Sequence, residues 1–231
     1  MACCPKSIIA EILKAKGAIK SVYFVACGGS YAGLHPGKYF LQSEAKKVTV
    51  DHYTANEFCH ATPKALGPNS IVITQSHSGT TPETVKAAEI AQKAGAASVV
   101  ITFDDQSPLA KNGDYVLKYE AKATADMTGM AFGLKLAVEI LNQIEGYENY
   151  DEMMNGFDRI DGIVKHAKEF LTPRAKVFAE EYKDEKLIYM MGSGANYDVA
   201  YSFAICLLME MQWVNSSAIH SGEYFHGPFE I

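Results

Sequence analysis

Apolar residues recur along this chain in two alternating rhythms. The first is a short unbroken run of β-branched and aromatic residues, seen at residues 22–26, 70–74 and 98–102. Runs of that length, apolar on both faces, predict strands buried on both sides, as in a parallel sheet. Residues 47–50 and 115–119 predict two further strands. The second rhythm returns every three or four residues and predicts helices. Ile8, Ile9, Ile12 and Leu13 share one face of a helix over 7–16. Further helices are predicted over 31–43, 55–60, 82–94 and 127–144. Buried strands alternating with helices predict an α/β fold, a parallel sheet flanked by helices on both faces.

The rhythm changes after residue 149. Residues 149–182 are more polar and read as helical connection. A strand pattern then restarts at 186–191 and runs into Gly192-Ser193-Gly194, with a helix predicted over 196–213. The same order of strand, glycine-serine turn and helix occurs at Cys27-Gly28-Gly29-Ser30-Tyr31. An internal duplication is therefore expected: a first lobe over 1–150, a helical connection over 151–184, and the start of a truncated second lobe over 185–231.

Composition narrows the class without naming a chemistry. The 231 residues are 48% hydrophobic and 21% charged, which is ordinary for a globular protein able to bury a substantial core. The net charge of −6 has no basic stripe to offset it, which argues against a nucleic-acid partner. Five cysteines, Cys3, Cys4, Cys27, Cys59 and Cys206, show no metal-ligand spacing and suit reduced thiols in a cytoplasm. The apolar segment 201–214 is interrupted by Glu210 and Gln212 and is too short to span a bilayer, so no membrane association is expected.

The most informative stretch is Ser76-His77-Ser78-Gly79-Thr80-Thr81, between a predicted strand and a helix opening at Pro82. Unpaired N–H groups and the dipole at a helix start favour an anion, and hydroxyls add donors without adding charge. A phosphate monoester suits such a loop. The competing reading is a helix cap, with Pro82 at the first helical position, and for the loop alone that is the commoner use of these residues. Gly28-Gly29-Ser30 and Gly192-Ser193-Gly194 lack the spacing of a dinucleotide turn, and no Gly-Lys-Ser/Thr loop for ATP is present.

Glu210 stands in a very apolar segment, and His226 follows sixteen residues later within Ser221-Gly222-Glu223-Tyr224-Phe225-His226-Gly227-Pro228. Glu210 would be a stronger base near neutral pH if desolvated, although a place on a solvent stripe is the commoner explanation. Gly and Pro around His226 also fit a simple turn. A glutamate and a histidine combined with a phosphate cradle suit proton transfer on a sugar phosphate, with no metal or cofactor needed.

Together these residues resemble the SIS (sugar isomerase) family, over one whole lobe and most of a second. Ser76-x-Ser78-Gly79-x-Thr81 is similar to the family's phosphate-binding loop, and Cys27-Gly28-Gly29-Ser30-Tyr31 to its first strand-turn-helix. Gly192-x-Gly194-x-x-Tyr197, Glu210 and Gly222-Glu223-x-x-His226-Gly227-Pro228 resemble the isomerase domain of glucosamine-fructose-6-phosphate aminotransferase. Leu208-Met209-Glu210 and residues 221–231 resemble the fructosamine and fructoselysine 6-phosphate deglycases. The resemblance implies a flavodoxin-like SIS lobe and a homodimer with sites near the subunit interface. It implies substrate binding by Gly28, Gly29, Ser30, Ser76, His77, Ser78 and Thr81. It also implies Glu210 as base, His226 as acid and Glu223 in support. Gly29 stands where the aminotransferase has a hydroxyl residue, and no glutamine-hydrolysing segment opens at Cys3. Hydrolysis of a 6-phosphorylated fructosamine to glucose 6-phosphate and an amine is the expected reaction. An aldose–ketose or aminotransferase-like isomerase and a non-catalytic sugar-phosphate sensor are the alternatives.

Overall fold

The computed structural model describes residues 4–120 and 122–230, so Cys3 and Ile231 lie outside the described residues. By its contacts the chain divides into two compact units, Met1–Tyr150 and Asp151–Ile231.

In the first unit, α1 (Pro5–Lys16) precedes β1 (Ser21–Ala26), α2 (Gly28–Glu44), β2 (Thr49–Thr54) and α3 (Ala55–His60). Then come β3 (Ser70–Ser76), α4 (Pro82–Lys93), β4 (Ala97–Thr102), β5 (Tyr115–Lys118) and α5 (Gly129–Glu145). The five strands form one sheet in the order β2-β1-β3-β4-β5, every pairing parallel. The α/β sheet read from the sequence is therefore present. Every residue of β1, β3 and β4 is buried, which is why these strands carry no polar alternation. On one face Val22, Phe24, Ile71, Ile73 and Val99 pack in a cluster with Ile8 and Ile12 of α1, Leu34 and Leu41 of α2 and Phe132 and Leu136 of α5. On the other, Tyr23, Val25 and Val72 meet Phe58 of α3 and Ala87 and Ala91 of α4. The order of strands reverses between β1 and β3, and parallel sheets bind ligands at the carboxyl ends of the strands where that happens.

Several boundaries differ from the sequence reading. β2 begins at Thr49 and extends to Thr54, because an edge strand half open to solvent can carry Asp51 and His52 where a central strand could not. β3 reaches Ser76, two residues past the expected strand, and so takes in the first residue of the expected loop. α2 starts at Gly28 and continues through Pro36. α5 starts at Gly129, where the Thr128 hydroxyl accepts from the Ala131 N–H at 3.2 Å and caps the helix.

In the second unit the polar stretch forms one 33-residue helix, α6 (Tyr150–Tyr182), instead of several. It is followed by β6 (Leu187–Gly192), α7 (Tyr197–Ser202) and β7 (Asn215–His220). β6 and β7 pair in parallel. The helix expected over 196–213 is split: α7 ends at Ser202 and residues Phe203–Met211 wind as a π-helix. β7 was not expected, because Asn215-Ser216-Ser217 hides it. No described helix is long and apolar enough to cross a membrane. The four described cysteines, Cys4, Cys27, Cys59 and Cys206, are free thiols.

Candidate functional site

β1 and β3 end side by side, and the turns that follow them share one open cavity of about 520 Å³. Its lining includes Gly29 and Ser30 from the start of α2, and Ser76, His77, Ser78 and Thr81 from the loop after β3. Six of the seven substrate-binding residues named from the sequence are thus brought together. Gly28 is not among the lining residues: it opens α2 with a φ of 54°.

The hydroxyls bond mainly within the loop. Ser76 Oγ lies 3.0 Å from Thr81 Oγ1 and accepts from the Gly79 N–H at 3.1 Å. Ser78 Oγ lies 2.8 Å from Thr80 Oγ1 and accepts from the Thr80 N–H at 3.2 Å. The loop is held from below. The Leu109 N–H donates to the Gly79 carbonyl at 2.9 Å, and the Phe103 N–H donates to the His77 carbonyl at 3.2 Å. Gly79 has a φ of 66°, and a Cβ there would fall 2.1 Å from the Oγ of buried Ser107. No side chain fits that place, so the close turn depends on glycine.

Capping, the competing reading of the loop, is not what Thr81 does. It precedes Pro82 at the start of α4 but makes no side-chain cap. Cys27, before α2, makes none either. Two helices of 12 and 17 residues therefore start at the cavity without a side-chain cap from the residue that precedes them. Among the described residues the lining contains no Asp, Glu, Lys or Arg. Backbone N–H groups and hydroxyls form a donor set for an anion and a poor one for a cation.

Sequence reasoning missed Cys27, Gln75 and Tyr119 of this lining. Tyr119 follows the last residue of β5, and the rule that carboxyl ends of parallel strands carry the ligand site could have singled it out. Its hydroxyl lies 3.0 Å from His77 Nδ1, and Phe103 packs beside both rings. Burial pushes the Tyr119 phenol above its usual range, so it is neutral at neutral pH.

The proposed acid–base residues belong to the second unit. Glu210 lies near the end of the π-helical stretch and is exposed, on the solvent side of the two possibilities the sequence left open. Glu223 and His226 share a tight turn in which the His226 N–H donates to the Glu223 carbonyl at 2.9 Å, and both are exposed.

The family model for the SIS domain matches residues 18–143, which contain the whole sheet and the hydroxyl loop. This chain belongs to the SIS domain family. It is 46% identical over 215 residues to fructosamine deglycase FrlB of Bacillus subtilis, covering 92% of this chain and 66% of that protein. It is 25% identical over 225 residues to fructoselysine 6-phosphate deglycase of Escherichia coli K12, covering 97% of this chain and 65% of that protein. A solved structure from Salmonella typhimurium LT2, described as a proposed phosphosugar isomerase, superposes with a TM-score of 0.95 at 48% identity. The match covers 98% of this chain and 69% of that one. The chain thus spans about two thirds of the length of these two curated relatives.

Proposed function

We propose that this SIS-family chain is part of an enzyme that hydrolyses a 6-phosphorylated fructosamine to glucose 6-phosphate and a free amine. The observation that carries the reading is the 46% identity with FrlB across nearly the whole chain. The uncapped helix starts and neutral donor loop of the cavity support it, since they suit a phosphate monoester.

The phosphate is held by Ser76, Ser78 and Thr81, which fixes the open-chain sugar at one end. A base removes a proton from C1, next to the C2 carbonyl, and an enaminol forms. Protonation at C2 leaves an imine between C1 and the amine nitrogen. Water adds to C1, the C1–N bond breaks, and the aldehyde of glucose 6-phosphate and the amine depart. Glu210 is assigned the C1 proton, His226 ring opening or oxygen protonation, and Glu223 support. These assignments rest on the family resemblance, as does a homodimer with sites near the subunit interface; a cytoplasmic location rests on the cysteine pattern.

The test incubates this chain, and a chain extended to the relatives' length, with fructoselysine 6-phosphate and with fructose 6-phosphate. Release of glucose 6-phosphate together with free lysine from the first substrate supports a deglycase. Interconversion of fructose 6-phosphate and glucose 6-phosphate, without amine release from the first, replaces that reading with an isomerase. Binding of either without turnover by the extended chain replaces it with a sensor.

A further inference from the structure

The strand that carries the hydroxyl loop also carries a buried amide that the phosphate chemistry does not use. Ile71 and Ile73 of β3 belong to the cluster under α1, α2 and α5, and Gln75 is the next residue of the same face by the two-residue period of a strand. An apolar row thus ends in an amide just where the cavity begins. Gln75 is only 6% exposed, it lines the cavity, and its Oε1 is buried with no hydrogen-bond partner among the described residues. A buried, unpaired carbonyl is disfavoured relative to an aliphatic side chain of the same shape. The surrounding helices nonetheless leave room for it. A Cβ on Gly129, at the start of α5, would lie 2.9 Å from Gln75 Nε2 and 3.2 Å from Oε1. A Cβ on Gly33 of α2 would lie 3.1 Å from Nε2.

We propose that Gln75 contacts the substrate, its Oε1 accepting a hydrogen bond from a hydroxyl on the carbon chain of a bound sugar phosphate. The proposal rests on the reading of the cavity as a sugar-phosphate site. Ionised phosphate oxygens are acceptors and cannot satisfy another acceptor, whereas hydroxyls on the neighbouring carbons can. The loop after β3 then reads the phosphate, and Gln75 reads the polyol attached to it. A phosphate monoester without hydroxyls would fill the anion site and leave the amide unpaired. Discrimination of this kind is strong because a buried acceptor loses its only partner.

Gln75→Met keeps the length of the side chain and removes the acceptor. Calorimetry on the parent and Gln75→Met, with fructose 6-phosphate and with inorganic phosphate, separates the two readers. The expected result is a loss of about fivefold or more for fructose 6-phosphate and unchanged affinity for inorganic phosphate. The melting temperature should hold or rise. Equal affinity of both proteins for fructose 6-phosphate overturns the proposal. So does a parallel loss for both ligands with a lower melting temperature, which marks a packing role. If Gln75→Met does not fold, the parent decides. The Gln75 side-chain amide resonance should move on adding fructose 6-phosphate well beyond its response to inorganic phosphate, and an equal response overturns the proposal. A parent that binds inorganic phosphate and Gln75→Met that loses nothing leaves the anion site standing without Gln75. A parent that binds neither ligand removes the sugar-phosphate reading, and the proposal with it.

Discussion

Ser76 Oγ and Thr81 Oγ1 lie 3.0 Å apart across the turn between β3 and α4. Each hydroxyl is positioned by the other, and neither caps the helix that follows. A free hydroxyl at the start of α4 would sample several rotamers. The mutual bond restrains both oxygens on the cavity wall, so that under the proposed reading a phosphate would meet donors already in place. Removing one hydrogen bond to a charged ligand costs about 1.5–3 kcal/mol. Thr81→Ala and Ser78→Ala should each weaken binding of a 6-phosphorylated sugar roughly tenfold or more. Calorimetry measures this, and a melting temperature within a degree or two of the parent would show that the loss is in binding. If instead the melting temperature falls and affinity is unchanged, the loop is a structural turn.

How far the site could be read from sequence follows from where its signals lie. The hydroxyl loop is contiguous, so its residue types declared it. Gly29 and Ser30 were named through the resemblance of the contiguous Cys27-Gly28-Gly29-Ser30-Tyr31 to the family's first strand-turn-helix. Gln75 and Tyr119 were missed because each lies at a strand end and reaches the cavity only through sheet order. Nothing in the neighbouring residues announces that β1 and β3 are adjacent. β7 was missed for a related reason: Asn215, Ser216 and Ser217 have poor strand propensity, and pairing with β6 overrides it. The π-helix over Phe203–Met211 also defeats periodicity, since an apolar stretch with a helix start fits α and π winding equally.

Gly37 of α2 should be intolerant of any side chain. A Cβ there would fall 2.5 Å from the Gly133 carbonyl oxygen of α5. That oxygen is backbone and cannot swing aside, so the two helices would have to separate. Overpacking of this kind costs about 1–3 kcal/mol. Gly37→Ala should lower the midpoint of urea unfolding, despite alanine's better helix propensity. An unchanged or higher midpoint would show that α2 and α5 can part at no cost.

Asp126 should give the first unit a small acid sensitivity. The Thr124 hydroxyl donates to its carboxylate, and Lys135 Nζ lies 3.2 Å away. The hydroxyl, and then the lysine, hold the carboxyl below its usual range. A carboxyl with a lowered folded pKa binds fewer protons folded than unfolded at acidic pH, so stability rises with pH there. The contribution is complete above the ordinary aspartate pKa and is lost as pH falls from there through the folded value. Asp126→Asn should therefore flatten the loss of stability between neutral pH and about pH 3. Parallel curves for parent and variant in urea titrations across that range would assign the slope to other carboxylates.

The second unit exposes apolar side chains over most of its elements. Phe170, Val177, Met211, Phe225 and Trp213 are among the exposed, and Trp213 is 90% exposed with a φ of 58°. Patches of that extent associate unless covered. The chain should therefore self-associate at micromolar concentration, and a version extended to the relatives' length should behave better. Light scattering during sedimentation or gel filtration distinguishes the two. A monodisperse monomer that melts in one transition would contradict the expectation.

The sharpest prediction concerns Glu210. Removal of a carbon-bound proton needs a group that can accept it, and an amide of the same shape cannot. Glu210→Gln should therefore abolish turnover in an extended chain while leaving phosphate-anchored binding nearly unchanged, because the loop proposed to hold the phosphate is built from other residues. His226→Asn should slow turnover as well, and should spare substrate already in open-chain form if its task is ring opening. Turnover in deuterated water separates the steps. The parent should place deuterium at C2 of the glucose 6-phosphate released, since the proton delivered there comes from solvent. Glu210→Gln should yield neither product nor exchange at C1 of the bound substrate. Exchange at C1 without product would leave proton removal intact and move Glu210 to a later step. Near-parental turnover would remove Glu210 from the mechanism altogether and make Glu223 the next carboxylate to test.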